Sequence, residues 1–476
     1  MPSRPAPPSS DLLARFAAIV GGRHALTAPD VTRPYLIEWR DRYEGASPMV
    51  LRPGSTAEVA AILKLASETG TPIVPQGGNT GLVGGQVPDE SGTEIVLSLG
   101  RLDRIRAVDP AASTMTAEAG VILDRIHDAA DAADRLFPLT LGSQGSCTIG
   151  GNLSSNAGGT AVLAYGNARD MVLGLEVVLP TGEIVEGLRA LRKDNAGYDL
   201  KQLFLGTEGT LGVITAAVLK LWAKPKAQEV AVAGVATPAD ALAALGLAKT
   251  RAGAQLTAFE IMPRQLVEFC LRHQPGSRDP LSTPAPWYLL VEVSVGTGPA
   301  EAHALMEAVL EDGLAAGLIE DATIAQSVAQ AKDFWRMRHG MSEVQKHEGG
   351  SIKHDVSLPL SALPEFLTRA TEAVERLVPG CRPVPFGHLG DGNIHFNVSQ
   401  PVGADKAAFL AGWEAMNAVV HGIVTELGGS IAAEHGVGRM KREMLAGVRS
   451  PVEMMLMRRL KATLDPAGIL NPGKVV

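Results

Sequence analysis

The chain has 476 residues, of which 46% are hydrophobic and 20% charged, and its formal net charge is −8. This composition predicts a soluble, folded protein of two or three domains. No block of Lys and Arg is present, which argues against nucleic acid as a partner.

Cysteine usage and the N-terminal sequence bear on the compartment. Cys147, Cys270 and Cys381 are scattered without C-x-x-C spacing, which argues for a reducing compartment and against a disulfide framework or a thiolate metal cluster. The stretch "MPSRPAPPSS" has no apolar core, so no secretory signal is expected. No apolar run approaches the roughly 18 residues that span a bilayer. We therefore expect a cytoplasmic protein, with attachment to the periphery of the inner membrane as the alternative.

The first half of the chain predicts helices and strands separated by glycine loops. A helix is expected over 10–21 with Ser10 as its N-cap, and another begins at the capping box of Ser55 and Glu58. Alternating and β-branched residues predict strands and a final hairpin. These extended segments cover 71–76, 94–99, 114–120 and 174–185, the last turning at Thr181–Gly182.

The stretch "WAKPKAQE" (222–229) is typical of a linker between domains, and after it the pattern of predicted strands and helices changes. Six segments then follow in the order βαββαβ, over 229–326. This order predicts a ferredoxin-like antiparallel sheet. A helical stretch over 332–349, a histidine-containing region and a last helix over 450–466 complete the chain.

Three stretches, 72–88, 139–159 and 204–215, are unusually rich in glycine and small polar residues. Consecutive glycines such as those in 77–81 allow backbone N–H groups to converge on an anion, because no Cβ blocks the approach. Neither G-x-G-x-x-G before a helix nor G-x-x-x-x-G-K-S/T is present. One such loop alone fits a plain turn equally well, but three of them favour a cofactor that carries a diphosphate.

The motifs "PQGGNTG", "GSCTIGGN", "NAGG", "LRKDNAGYDLKQLF", "GTEGTLG" and "LNPGK" resemble the FAD-linked D-2-hydroxyacid dehydrogenases of the vanillyl-alcohol oxidase / p-cresol methylhydroxylase superfamily. They are most similar to the D-2-hydroxyglutarate and D-lactate dehydrogenases, from about residue 45 to the C-terminus. The resemblance implies an α+β fold, with an FAD-binding domain of two α/β subdomains, a ferredoxin-like antiparallel cap and a C-terminal helical segment. The expected domains are 1–225 (FAD-binding), 226–430 (substrate-binding cap) and 431–476 (completing the active site).

The resemblance also implies the flavin contacts. Residues 76–81 and Gly84 would hold the pyrophosphate, Ile214 would lie near the adenine and Asn471 near the isoalloxazine. Asn79 stands where some superfamily members attach the flavin through a histidine, so we expect FAD to be bound non-covalently. The full set of expected flavin-binding residues is Pro75, Gln76, Gly77, Gly78, Asn79, Thr80, Gly81, Gly84, Leu139, Gly142, Ser143, Ser146, Gly150, Asn152, Asn156, Gly158, Ile214 and Asn471.

The stretch "FGHLGDGNIHFNV" (386–398) places His388 and His395 on either side of a Gly-Asp-Gly turn, and "AAEHG" supplies Glu434 and His435. Two imidazoles and one carboxylate fit a divalent metal site with open positions. Histidines beside a hairpin are also common as simple hydrogen-bonding groups. The resemblance assigns the metal to His388, His395 and Glu434. Zinc is favoured, and manganese, cobalt and iron are alternatives.

His435 is the expected general base. An imidazole titrates near neutral pH, which suits removal of a hydroxyl proton, and a neighbouring metal would make that removal easier. The alternative interpretation is a histidine that only orients Glu434.

The expected substrate-binding residues are Arg338, Ser342, Lys353, Asn397 and His435. Arg grips a carboxylate in a bidentate fork and Lys adds a point charge, although both are most often solvated surface residues. The nearby Arg336 competes with Arg338 for this role, and the resemblance alone favours Arg338.

The resemblance implies oxidation of a small D-2-hydroxy acid to a 2-oxo acid by hydride transfer to flavin N5. D-2-Hydroxyglutarate is the favoured substrate; D-lactate, glycolate and D-malate are alternatives, as is a non-catalytic FAD-binding subunit of an oxidase complex. Without a set of iron–sulfur ligands or a nicotinamide fingerprint, electrons are expected to pass to an external acceptor such as an electron-transfer flavoprotein, a quinone or a cytochrome. A homodimer is an allowed state.

Overall fold

The computed structural model describes residues 7–476, so most of the Pro/Ser-rich tail lies outside the described residues. The chain divides into two compact units. One break falls between Lys224 and Pro225, inside the expected linker, and another falls between Glu434 and His435. Unit 1 comprises the described residues up to Gly158, Asn167–Lys224 and His435–Val476, and unit 2 comprises Gly159–Gly166 and Pro225–Glu434.

Unit 1 contains three sheets. Their strands are β1 (Ala25–Leu26), β2 (Val50–Leu51), β3 (Ile73–Gln76), β4 (Ile95–Ser98), β5 (Ile105–Asp109), β6 (Thr114–Glu118), β7 (Arg135–Leu136), β8 (Val172–Val178), β9 (Ile184–Gly187), β10 (Val213–Lys220) and β11 (Trp222–Ala223). The four-stranded sheet has the order β1-β2-β4-β3, with β2, β4 and β3 parallel. The five-stranded antiparallel sheet has the order β5-β6-β10-β8-β9, and β7 pairs with β11.

Two helices of unit 1 begin at or next to the serine caps that the sequence predicted. The first begins one residue earlier than expected: Ser9, not Ser10, is the N-cap, and its hydroxyl accepts a hydrogen bond from the amide of Leu12. Ser55 caps the third helix as expected. The α-helices of unit 1 are Ser10–Val20, Pro29–Leu36, Thr56–Thr69, Leu123–Ala132, Ile149–Ser155, Arg442–Val448 and Pro451–Leu464.

The C-terminal segment is part of the core of unit 1. Ile469 and Leu470 are buried with Ile73 in the cluster that also contains the first and third helices. Leu470 forms a parallel bridge with Ile73, and the amide of Asn471 donates to the Ile73 carbonyl at 2.8 Å. The end of the chain is therefore fixed beside the strand that leads into the first glycine loop.

Unit 2 is built on one eight-stranded sheet whose path is β15-β12-β14-β13-β18-β19-β16, with β17 paired to β19. Its first four positions have the ferredoxin-like antiparallel order that the sequence predicted. The extension by β18, β19 and β16 was not foreseen, and it carries the histidine-containing hairpin. The strands are β12 (Ala227–Val235), β13 (Leu256–Pro263), β14 (Trp287–Val295), β15 (Asp321–Ile324), β16 (Ser351–Ser357), β17 (Arg382–Pro383), β18 (Phe386–His388) and β19 (Asn393–Ser399).

Helices of unit 2 pack on this sheet, and the long helix Val328–Val344 shares a buried cluster with residues of β12, β13 and β14. Within residues 7–476, no helix combines the length and apolar character needed to cross a bilayer. The α-helices of unit 2 are Val162–Tyr165, Pro238–Ala252, Arg264–His273, Pro299–Ala315, Val328–Val344, Leu363–Leu377, Lys406–Ala411 and Trp413–Glu426.

Candidate active site

The first two glycine loops pack directly on each other in unit 1. A Cβ on Gly78 would lie 2.0 Å from the carbonyl oxygen of Ser146, and a Cβ on Gly77 would lie 2.4 Å from the hydroxyl of Thr148. Asn79, between them and the end of the turn, has a φ of 54° in the left-handed region that Asn tolerates better than most residues. Gly78 is therefore required by close packing against another backbone segment, and Gly77 by the nearby Thr148 hydroxyl.

Buried polar atoms around these loops lack hydrogen-bond partners. They are Oδ1 of Asn79, Oγ1 of Thr148 and Oδ1 of Asn471. The amide nitrogens of both asparagines are satisfied: that of Asn79 donates to two backbone carbonyls, and that of Asn471 donates to the carbonyls of Gly85 and Glu208. A buried acceptor without a donor is costly, so these oxygens fit a ligand with N–H and O–H groups, as FAD has.

All of the expected flavin-binding residues lie in unit 1. Ile214 is buried on β10, and Gly150 is so close to Ala119 that a Cβ would lie 2.5 Å from the alanine methyl group. Thr148 was missed by the sequence reasoning, although it sits inside the quoted "GSCTIGGN" motif. The predicted flavin-binding residues that lie in this unit beside Thr148 are Pro75, Gln76, Gly77, Gly78, Asn79, Thr80, Gly81, Gly84, Leu139, Gly142, Ser143, Ser146, Gly150, Asn152, Asn156, Gly158, Ile214 and Asn471.

The loop that follows His435 is held by a half-buried carboxylate of unit 1. Glu208 accepts hydrogen bonds from the amides of Val437 at 2.7 Å and Gly438 at 2.9 Å. Gly438 has a φ of 50°, and a Cβ there would lie 2.3 Å from the carbonyl oxygen of Val83. Glu208, which the sequence reasoning did not single out, therefore fixes the backbone just beyond the expected base.

A cluster of ligand-type side chains lies at one end of the extended sheet in unit 2. Asp355 on β16 is the direct cross-strand partner of His395 on β19. One ligand atom from each of Asp355, His395 and Glu434 lies within 4.8 Å of the others. The Nε2 atom of His395 is 3.6 Å from Oε1 of Glu434. His435, the expected base, is the next residue in the chain and the first residue of unit 1 after the break.

Electrostatics at this cluster favour a bound cation. Burial, together with the nearby carboxylates of Asp355 and Asp391, raises the pKa of Glu434 to about 8 against the opposing charge of His388. Carboxylates and imidazoles that converge in this way are the donors that divalent zinc, iron or manganese prefer. The residues present therefore fit a divalent metal.

Both carboxylate oxygens of Asp355, which the sequence reasoning missed, already accept hydrogen bonds. Oδ1 accepts from the side-chain amide of Asn393 and Oδ2 from the backbone amide of Glu434, both at 3.0 Å. The pattern "IKHDVS" could have revealed Asp355, because Asp355 lies two residues after Lys353 and so points to the same face of the strand. Its contacts suit a residue that orients the donor set.

His388 lies beside this cluster with one ring nitrogen already engaged. Its Nδ1 atom is 2.6 Å from Oε1 of Glu260, and its ring centroid is 5.7 Å from that of His395. A carboxylate on one imidazole nitrogen is the usual arrangement for a histidine whose other nitrogen binds metal. His388 therefore has the hydrogen bonding of a metal ligand.

The expected cations of the substrate site are anchored differently. The guanidinium of Arg338 is buried and ion-paired with Glu260, its Nη2 atom 2.6 Å from Oε2, whereas Arg336 bonds Asp333 on the exposed side of the same helix. The ammonium of Lys353 donates to the carbonyl and the hydroxyl of Ser342, each at 3.1 Å. Arg338 is thus no solvated surface charge.

Asn397 shares a cross-strand position with Lys353. Its side-chain amide donates to Oε1 of the fully buried Gln345 at 3.1 Å, and Ser351 donates to the same oxygen. This network fixes the orientation of the amide. Arg338, Ser342, Lys353 and Asn397 all belong to unit 2, as do His388, His395 and Glu434.

Two curated relatives are similar over nearly the whole chain. The probable mitochondrial D-2-hydroxyglutarate dehydrogenase of Oryza sativa subsp. japonica is 38% identical over 98% of this chain and 82% of its own length. The mitochondrial D-2-hydroxyglutarate dehydrogenase of Bos taurus is 38% identical over 98% of this chain and 84% of its own. Because such relatives are mitochondrial enzymes, the expectation of a cytoplasmic location is wrong. Scattered cysteines, on which it partly rested, report only on redox conditions.

Among solved structures, p-cresol methylhydroxylase with substrate bound superposes with a TM-score of 0.77 at 16% identity, covering 98% of this chain and 96% of that one. At this identity the likeness concerns the fold alone. It confirms the expected α+β fold.

Sequence profiles of two domain families cover most of the chain. The FAD-binding domain profile matches residues 47–187, and the profile of the C-terminal domain of FAD-linked oxidases matches residues 224–475. These matches confirm FAD, the cofactor that the family resemblance implied, whereas the glycine loops alone favoured only a cofactor with a diphosphate. With the identity to the curated relatives, they show that the chain belongs to the FAD-linked D-2-hydroxyacid dehydrogenases of the vanillyl-alcohol oxidase / p-cresol methylhydroxylase superfamily, oxidoreductases that act on a CH–OH donor.

Proposed function

We propose that this enzyme oxidises D-2-hydroxyglutarate to 2-oxoglutarate with the help of a divalent metal. The observation that carries the proposal is the convergence of His395, Glu434 and Asp355 in the same unit as the buried Arg338 and the anchored Lys353. The cluster of His395, Glu434 and Asp355 suits a metal that a 2-hydroxy acid can chelate. The two cations, Arg338 and Lys353, suit the two carboxylates of a dicarboxylate. The names of the rice and cattle relatives support the same substrate.

When bound, FAD would supply the acceptor for a hydride from C2, and a divalent metal would supply a Lewis acid that makes the substrate hydroxyl easier to deprotonate. His388, His395 and Glu434 would hold the metal. Zinc is the first choice for such a set, with manganese, cobalt or iron as alternatives.

The chain's own side chains would bind and orient the substrate. Arg338 and Lys353 neutralise its carboxylates, Ser342 holds the Lys353 ammonium, and Asn397 presents a fixed amide. His435 takes the proton from the 2-hydroxyl as the C2–H bond breaks. Because several groups grip the acid at once, only one face of C2 is presented for reaction, which accounts for selection of the D-enantiomer.

Binding of FAD is proposed to be non-covalent, because Asn79 cannot form the bond that a histidine makes in some members. The Asn79 amide is instead committed to the carbonyls of Pro34 and Ile37 at 3.0 and 2.9 Å. Precipitation with acid should therefore release the yellow chromophore into the supernatant. Colour that stays with the washed, denatured protein would contradict this.

The substrate is tested by flavin bleaching under anaerobic conditions. D-2-Hydroxyglutarate should reduce the flavin fastest among D-2-hydroxyglutarate, D-lactate, D-malate and glycolate. D-Lactate and glycolate have no second carboxylate for the second cation, and the second carboxylate of D-malate is one methylene closer to the first. L-2-Hydroxyglutarate serves as the matched control. Faster bleaching by D-lactate would move the assignment to the lactate branch, and no bleaching by any acid would favour a non-catalytic FAD-binding subunit.

The reduced flavin is proposed to lose its electrons to an external acceptor, namely an electron-transfer flavoprotein, a quinone or a cytochrome. In the described part of the chain, Cys147, Cys270 and Cys381 are each buried and free, which gives no set of iron–sulfur ligands. Reoxidation rates of the bleached enzyme with each acceptor and with O₂ would rank them. A homodimer stays a proposal that sedimentation can test.

A further inference from the structure

Glu260 is a charged residue at a position where the strand pattern calls for an apolar one. It lies on β13 between Ala258 and Met262, which point to the same face of the sheet, and it is fully buried. The directly opposite residue on β14 is Leu290, and Met262 and Leu290 belong to the buried cluster under the helix Val328–Val344. An ionised carboxylate in such surroundings is stable only with close, well-placed partners.

Glu260 has two such partners, one on each oxygen. Oε1 is 2.6 Å from Nδ1 of His388, its cross-strand neighbour on β18. Oε2 accepts from Nε of Arg338 at 2.7 Å. The guanidinium is further fixed by Phe386, whose ring centroid lies 4.8 Å from its central carbon. A single carboxylate therefore joins an expected metal ligand to an expected substrate cation.

We propose that Glu260 is a positioning residue that couples metal binding to binding of the substrate carboxylate. By holding Nδ1 of His388, it fixes the ring so that Nε2 is left for the metal. By holding Arg338, it fixes the plane of the guanidinium against Phe386. The inference rests on the proposed function, and it adds that the two binding events are linked through one side chain.

Metal binding and carboxylate binding are linked because His388 and Arg338 share one carboxylate, that of Glu260. A change in the position of Glu260 that improves its contact with His388 also moves the oxygen that holds Arg338, because both oxygens belong to one planar group. A metal on His388 and a carboxylate on Arg338 should therefore each favour the same placement of Glu260. Coupling between two ligands is reciprocal, so each should raise the affinity for the other.

The matched control for Glu260 is Glu292 on the neighbouring strand β14. Its carboxylate accepts from the indole N–H of Trp335 at 2.9 Å and from the hydroxyl of Thr257 at 2.8 Å. It thus lies under the same helix as Arg338 but bonds neither His388 nor Arg338. Burial raises its pKa, so glutamine imitates it well.

The experiment compares Glu260→Gln with Glu292→Gln in the FAD-loaded protein. The affinity for Zn²⁺ is measured by competition with a chromophoric chelator, with and without glutarate, and needs no turnover. Glutarate is the probe because it carries both carboxylates but lacks the 2-oxygen that would chelate the metal directly. In the wild type, glutarate should tighten Zn²⁺ binding. Glu260→Gln should weaken Zn²⁺ binding about 10–100-fold, as for other groups that orient metal ligands, and should abolish the effect of glutarate. Glu292→Gln should keep both.

Glu260→Asp provides a second variant if the glutamine protein does not fold. It keeps the charge but is one methylene shorter and cannot reach both partners, so it too should lose the coupling. Coupling that persists in either folded variant would overturn the inference. A wild-type protein that binds no Zn²⁺ would refute the proposed metal dependence. A wild-type protein that binds Zn²⁺ but shows no coupling would refute only the role of Glu260.

Discussion

Replacing His435 with alanine should slow flavin reduction by D-2-hydroxyglutarate by about 10²–10⁴-fold, the contribution typical of a positioned general base. The loss should appear in the limiting rate of reduction, with little change in the substrate concentration that gives half of that rate. The reason is that Arg338 and Lys353, which are proposed to bind the carboxylates, lie on elements of unit 2 that do not include residue 435.

Anaerobic stopped-flow measurement of the oxidised flavin band separates these two quantities. His303→Ala is a suitable control, because His303 is exposed on the helix Pro299–Ala315 and pairs with Glu229 and Glu307. A second test is the pH profile: loss of the base should remove the limb in which the rate rises with pH. Reduction at a near-normal rate in His435→Ala would leave His435 as a residue that merely orients Glu434.

The ferredoxin-like half of the unit 2 sheet could be predicted because its signals are local. Runs of apolar and β-branched residues mark the strands, and the helices predicted over 238–251 and 299–313 separate two pairs of them. The helix Arg264–His273 between β13 and β14 was not predicted. The pairing of β13 with β18 and of β16 with β19 could not be predicted in the same way. These contacts join segments far apart in sequence, and nothing within "FGH" or "IKHDVS" specifies its neighbour.

The candidate site shows the same division. His388, His395 and Glu434 stand out because histidines are few and because a resemblance covers them. Asp355 and Glu260 were missed, although Glu260 interrupts the apolar strand "LTAFEIM" and could have been questioned on that ground alone. What the sequence could not show is which partners stabilise such a charge, since they come from β18 and from the helix Val328–Val344.

The close packing of the glycine loops could be expected from the sequence. Where one backbone segment lies as close to another as Gly78 lies to Ser146, no side chain fits, so glycine in the sequence indicates the contact directly. Thr148 and Glu208 give no such indication, because Thr and Glu are common at many kinds of position. Their roles became visible only when an unpartnered hydroxyl and two backbone hydrogen bonds were seen.

Removal of divalent metal with a chelator should abolish activity, and Zn²⁺, Mn²⁺ or Co²⁺ should restore it while the flavin content stays constant. The physical reason is the raised pKa of Glu434: burial and the neighbouring carboxylates of Asp355 and Asp391 penalise its charge, and a bound cation would remove that penalty. The measurement is the metal content of the protein beside its rate of anaerobic flavin reduction. Full activity of a protein shown to be free of metal would refute the proposal.

Single variants should then separate ligands from orienting residues. Glu434→Gln and His388→Gln should lose the metal, whereas Asp355→Asn should retain it with lower affinity, because both oxygens of Asp355 are occupied by the Asn393 side chain and the Glu434 amide. Asp333→Asn, in an exposed pair with Arg336, is the neutral control. If Asp355→Asn lost the metal completely while His388→Gln kept it, Asp355 would replace His388 in the donor set. His388 would then be a partner of the buried Glu260 carboxylate, as Arg338 is, and not a metal ligand.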